Sequence, residues 1–132
     1  MPRYVILRHE FPAGQKFPVG QERSLHWDLM LESGGVLRTW ALADYPMSQP
    51  TTQAEQLADH RIAYLDYQGP VSGDRGSVTR WDVGEYGIER ETVDHLQIRL
   101  AGQRFSGGVT LERTEPSGHF WRVSFSVAPT TG

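Results

Sequence analysis

Hydrophobic and polar residues alternate along most of the chain, in short runs bounded by Gly, Pro, Asp and Ser. A period of two marks strands that bury one face. It predicts strands over Arg3–Arg8, Leu25–Glu32, Val36–Leu42, Ile62–Tyr67, Ser77–Asp82, Gly84–Glu89, Leu96–Leu100, Gly108–Arg113 and Phe120–Val127. Gly34-Gly35 forms a tight hairpin turn between the second and third of these, and Ala54–Leu57 predicts one helical turn. Glu10–Arg23, Tyr45–Gln53 and Pro70–Gly76 read as loops, and Ala128–Gly132 as a frayed end. With short connections throughout, the expected fold is all-β: a closed or nearly closed antiparallel β-barrel of about eight strands, since closure removes exposed edges. Residues 1–132 fit one domain, with no repeat or linker.

Strand parity singles out Ser24-Leu25-His26-Trp27-Asp28-Leu29-Met30-Leu31-Glu32. Leu25, Trp27, Leu29 and Leu31 share an apolar face; His26, Asp28, Met30 and Glu32 share the other. His26 and Asp28 project in parallel and can converge on one ion, although a solvated strand face has the same pattern. His9 ends the preceding strand and can reach the same point. Cysteine is absent, so any metal must sit on His, Asp or Glu, and an imidazole–carboxylate set suits Mn²⁺, Zn²⁺ or Fe²⁺. Three such ligands leave positions open for water and substrate. Asp59-His60, with Tyr64 beyond it, offers a second group: an imidazole for acid–base work and a phenol for an oxyanion. Asp82-Val83-Gly84-Glu85 reads as a tight turn that Asp82, Glu85 and Tyr86 serve, and Gly107-Gly108 as a turn. His95 and His119 read as exposed loop residues. No P-loop, G-x-G-x-x-G, H-E-x-x-H or G-x-S-x-G signature is present.

In order along the chain, several segments resemble the N-terminal 3′-phosphoesterase domain of bacterial DNA ligase D. They are Tyr4-Val5-Ile6 through His9; Leu25-His26-Trp27-Asp28-Leu29 with Leu31-Glu32; and Gly35-Val36-Leu37-Arg38-Thr39-Trp40-Ala41-Leu42. Asp59-His60 with Tyr64, Arg80-Trp81-Asp82-Val83-Gly84-Glu85-Tyr86 and Leu100-Ala101-Gly102-Gln103-Arg104-Phe105-Ser106-Gly107 continue the likeness. The resemblance implies a β-barrel and a metal-dependent phosphoesterase, typically with Mn²⁺ and with Zn²⁺ as the alternative. It implies action on DNA or DNA/RNA 3′ ends, removing a terminal ribonucleoside or a 3′-phosphate, beside end-joining repair proteins. His9, His26 and Asp28 fall on the metal ligands, and His60 and Tyr64 on the further catalytic residues.

The departures from that family alter the picture. Met30 stands where it has an Arg, Asp44 where it has a Lys, and Ala58 where it has an acid; no basic residue lies among Pro50–Gln56. Arg8 and Arg38, or Arg23, are the expected replacements for binding phosphate. Glu10–Arg23 carries an insertion that would lie beside the metal. The net charge is −3, which disfavours sequence-blind DNA binding, yet 12 of the 13 basic residues are Arg, whose fork suits phosphate. Two other readings stay open: a non-catalytic module that binds DNA ends or proteins, and a small-molecule phosphoesterase. The apolar run near Met1 is too short for a signal peptide or a membrane span, so the expectation is a cytoplasmic protein without membrane contact.

Overall fold

The computed structural model describes residues 1–11, 25–71 and 76–127. Its strands are β1 (Arg3–Glu10), β2 (Leu25–Ser33), β3 (Val36–Leu42), β4 (Thr51–Arg61), β5 (Gly69–Pro70), β6 (Ser77–Glu91), β7 (His95–Gly102), β8 (Ser106–Arg113) and β9 (Phe120–Val127). They form one antiparallel sheet in the order β1-β2-β3-β4-β9-β8-β7-β6, and β1 pairs with β6 to close the ring; two-residue β5 adds to β6. The expected eight-stranded barrel is therefore present. The loops assigned to 12–23 and 72–75 and the end at 128–132, with Arg23, lie outside the described residues.

An eight-stranded ring is just wide enough for side chains to fill it. Inward-facing Tyr4, Ile6, Leu29, Trp40, Ile98 and Trp121 belong to a continuous core with contributions from all eight strands of the ring. Full burial of each such side chain contributes about 1.5–3 kcal/mol. A second, smaller cluster covers the outside of the ring: Val5 and Leu7 from β1, Met30 from β2, Leu37 from β3 and Val78 from β6 pack against Leu65 and Val71. This outer cluster explains why β2 buries residues on both faces.

Two expected elements exchange places. Ala54–Leu57 is not helical; it lies inside β4, where Ala54 is in the core and Trp121 Nε1 donates to Gln56 Oε1 at 3.1 Å. Pairing to β3 on one side and β9 on the other overrides the helix preference of those residues. Ile62–Tyr67 is not a strand, because Ile62–Leu65 is a 3₁₀ turn that drops Leu65 onto the outer cluster. The one short helical turn thus exists but sits eight residues later.

The expected turn at Asp82–Glu85 is also absent, since β6 runs unbroken from Ser77 to Glu91 with a register shift against β7 between Ile88 and Arg90. Gly107 and Gly108 lie within β8. Asp82 is a buried clasp. Its carboxylate accepts from Tyr4 OH at 2.6 Å and from the amides of Val83, Arg104 and Phe105 at 3.0, 2.8 and 3.2 Å. Burial, and then the bond to Asp82, push the Tyr4 phenol well above its ordinary value. Gly102 must be glycine for this clasp to close, because a Cβ there would lie 1.9 Å from Tyr4 OH and 2.5 Å from Asp82 Oδ2. His95 opens β7 half-buried, whereas His119 is exposed.

Candidate functional site

His9 and His26 stand opposite each other across the β1–β2 pair, and Asp28 lies two residues further along β2. Parity places all three on the outer face of the ring, in line with Leu7 and Met30 of the outer cluster. Asp28 is only 2% exposed. Its two oxygens divide between the imidazoles: His26 Nδ1 donates to Oδ1 at 2.7 Å, and His9 Nδ1 donates to Oδ2 at 3.1 Å. An ionised carboxylate accepts only, so both rings carry their proton on Nδ1. Burial alone would raise the Asp28 pKa, but the hydrogen bonds from His26 and His9 and their charge outweigh it and hold the group below the usual carboxylate range. Phe11 stacks on His9 at 4.4 Å between ring centres and tilts against His26 at 5.0 Å, limiting how far either imidazole can swing.

One donor atom from each of His9, His26 and Asp28 lies within 4.8 Å of the others, and no second group of this kind occurs among the described residues. Two neutral imidazoles and one carboxylate make a donor set for a borderline divalent ion. With Asp28 ionised throughout the ordinary range, protons compete with such an ion at the imidazoles alone. Affinity for Mn²⁺ is therefore expected to fall as pH drops, because each proton taken up by His9 or His26 removes a ligand. Metal titrations at several pH values, with proton release followed by calorimetry in buffers of different ionisation heat, measure this; a pH-independent affinity would contradict it.

The three residues do not stand alone. A pocket of about 360 Å³ runs from Leu7, His9, Asp28 and Met30 on β1 and β2 to Ala58, Asp59, His60 and Arg61 on β4, with Tyr64 beyond. The structure thus brings His60 and Tyr64 to the pocket that His9 and Asp28 line. His60 Nδ1 donates to the Ala58 carbonyl at 2.8 Å, which fixes the ring and leaves Nε2 as its second nitrogen. Tyr64 meets His60 edge-on at 5.8 Å. The 3₁₀ turn carrying Tyr64 is tied down at its end. Asp66 accepts from Arg3 at 2.7 and 3.4 Å and lies 3.9 Å from Arg80, while Gln68 Oε1 accepts from the Arg80 amide at 2.9 Å. Arg3 accordingly holds Asp66 below the usual carboxylate range.

Arg8 and Arg38 are not brought to this pocket. Each lies on the opposite face of its strand from the outer cluster. Arg8 pairs with Glu10 and rests over Trp27, and Arg38 pairs with Glu91 at 3.1 Å over Trp40. Met30 is buried and lines the pocket as an apolar wall. Asp44 accepts from Thr52 Oγ1 at 2.9 Å in the connection between β3 and β4. Asp59 lines the pocket beside His60, and so does Arg61, which the sequence pattern did not single out. Its adjacency to His60 was the available signal, and the loss of regular pairing between β3 and β4 hid its meaning.

Residues 20–113 match the DNA ligase D 3′-phosphoesterase domain family, a span of more than half the chain. The chain belongs to that family. A multifunctional non-homologous end joining protein LigD of Pseudomonas aeruginosa is 33% identical over 107 residues, covering 71% of this chain and 12% of the relative. The protein of that name from Mycobacterium bovis is 35% identical over 111 residues, covering 75% of this chain and 14% of its own length. The aligned part therefore spans only 12% to 14% of these LigD relatives. His26, Asp28, His60 and Tyr64 fall inside the segment shared with the 3′-phosphoesterase family, whereas His9 and all of β9 lie outside it. The pocket joins the two parts, because β1 delivers His9 to the β2 residues. No helix among the described residues is long and apolar enough to cross a membrane.

Proposed function

We propose that this chain is a metal-dependent phosphoesterase that processes nucleic-acid 3′ ends, removing a 3′-phosphate or a terminal ribonucleoside. The observation that carries this reading is one pocket with His9 and Asp28 on one wall and His60 and Tyr64 on the other. Family membership supports the reaction class. The donor chemistry fits Mn²⁺, with Zn²⁺ as the alternative, held by His9, His26 and Asp28. A divalent ion bound there would polarise a phosphoryl oxygen and lower the pKa of a coordinated water. Asp28 balances positive charge and keeps both imidazoles aimed. His60, oriented by the Ala58 carbonyl, donates a proton from Nε2 to the leaving oxygen when protonated. Tyr64 donates its phenolic hydrogen to charge developing on the phosphoryl group. DNA ends in end-joining repair, in the cytoplasm, are the setting we infer.

The test is a primer–template ending in a 3′-phosphate or a 3′-ribonucleotide, incubated with the full chain and Mn²⁺. Conversion to a 3′-hydroxyl is expected, lowered about 10²–10⁴-fold by His60→Ala. Unchanged ends with Mn²⁺ shown to be bound would reject catalysis and leave a module that binds ends without turnover.

A further inference from the structure

The phosphate-binding cation of this site is Arg61, we infer, taking a terminal phosphate monoester from the β4 side of the pocket. The inference builds on the phosphoesterase reading and adds the residue that recognises the substrate.

Charge sets the first requirement. The pocket wall carries two carboxylates, Asp28 and Asp59. A phosphate monoester bears close to two negative charges near neutral pH, so it would be repelled unless cations face it. Of the ten arginines among the described residues, Arg3, Arg8, Arg38, Arg80, Arg99, Arg113 and Arg122 each form an ion pair with an Asp or Glu. Arg61, Arg90 and Arg104 form none. Only Arg61 of those three lines the pocket, and among the described residues no lysine or other arginine does.

Its position supports the same role. Arg61 ends β4 at the entrance to the 3₁₀ turn, extended at φ −69° and ψ 141°, between His60 and Tyr64. It is exposed, so its guanidinium keeps its hydration until a ligand arrives. Its planar fork matches two phosphate oxygens at once, which an ammonium cannot do. Met30 gives the pocket an apolar wall on the β2 side. A phosphate there would therefore meet the His9–His26–Asp28 group at one end and Arg61 at the other.

Inorganic phosphate is the probe, because it is a monoester mimic that cannot be hydrolysed. Calorimetric titration into the Mn²⁺-loaded full chain is expected to show binding that Arg61→Ala weakens about tenfold or more. Arg61→Lys should fall between the two, since it keeps charge and loses the fork. Melting temperatures of both variants should match the parent, as Arg61 is exposed and unpaired. Arg90→Ala is the control and should bind phosphate as the parent does. Equal affinity in Arg61→Ala and the parent, or no phosphate binding by the parent at millimolar concentration, overturns the inference. The phosphoesterase reading fails separately, if 3′ ends stay unchanged while Arg61-dependent phosphate binding persists.

Discussion

Asp28→Asn is expected to lower Mn²⁺ affinity at least about a hundredfold and to reduce 3′-end hydrolysis at fixed metal by a similar factor or more. The substitution hardly changes shape. It removes one negative charge from a buried site and replaces an oxygen acceptor by an amide donor. In the native arrangement each Asp28 oxygen accepts from one imidazole. With asparagine, one imidazole Nδ1–H faces the carboxamide oxygen and the other faces an NH₂ group, two donors opposed. One ring must then turn or change tautomer, and the donors no longer converge. Chelator competition measures the affinity, and turnover measured across Mn²⁺ concentrations separates lost binding from lost chemistry. An affinity within about threefold of the parent would remove Asp28 from the metal site.

Asp82→Ala should act in the opposite way, on stability and not on the site. The carboxylate satisfies Tyr4 OH and the Arg104 and Phe105 amides, and tyrosine and aspartate are both buried. Truncation leaves four donors, the Val83 amide included, without this acceptor and opens a void beside Gly102. Each unsatisfied buried group costs about 1–3 kcal/mol, so a total loss of about 3–5 kcal/mol is expected after relaxation. For a chain of this size that lowers the melting temperature on the order of 10–20 °C. Asp82 packs with the barrel interior while His9, His26 and Asp28 face outward, so Mn²⁺ affinity at a temperature where the variant is folded should match the parent. A melting temperature within a few degrees of the parent would mean that the clasp contributes little. Weakened metal binding in a folded variant would mean that the two faces are coupled.

Much of this molecule was legible in its residues, for reasons that also mark where legibility stopped. β7, β8 and β9 bury alternate positions against one core, and a period of two states that directly; in β2 and β3 the inner face keeps that period while the outer cluster buries residues of the other face. β4 was hidden because Ala54-Glu55-Gln56-Leu57-Ala58 carries helix-favouring residues, and its strand state is imposed by two neighbours distant in sequence. Ile62–Tyr67 has strand-like residues, yet Leu65 alone among Ile62–Leu65 is buried. The convergence of His26 with Asp28 followed from parity, and that of His9 from its place at the end of the adjacent strand. Parity could equally have warned that Arg8 sits next to His9 and so must face the other way. Arg61 and the β4 wall of the pocket had no local signature, because a register shift and the 3₁₀ turn bring them there.

The filled interior has a last consequence. Among the described residues the ring is filled by its own buried side chains. The pocket is carved into the flank of the barrel, under the 3₁₀ turn. If the chain processes polymer ends as proposed, a terminus would be presented to this flank and not threaded through the ring. In that arrangement the barrel would serve as an anvil, with the reacting end held against its flank.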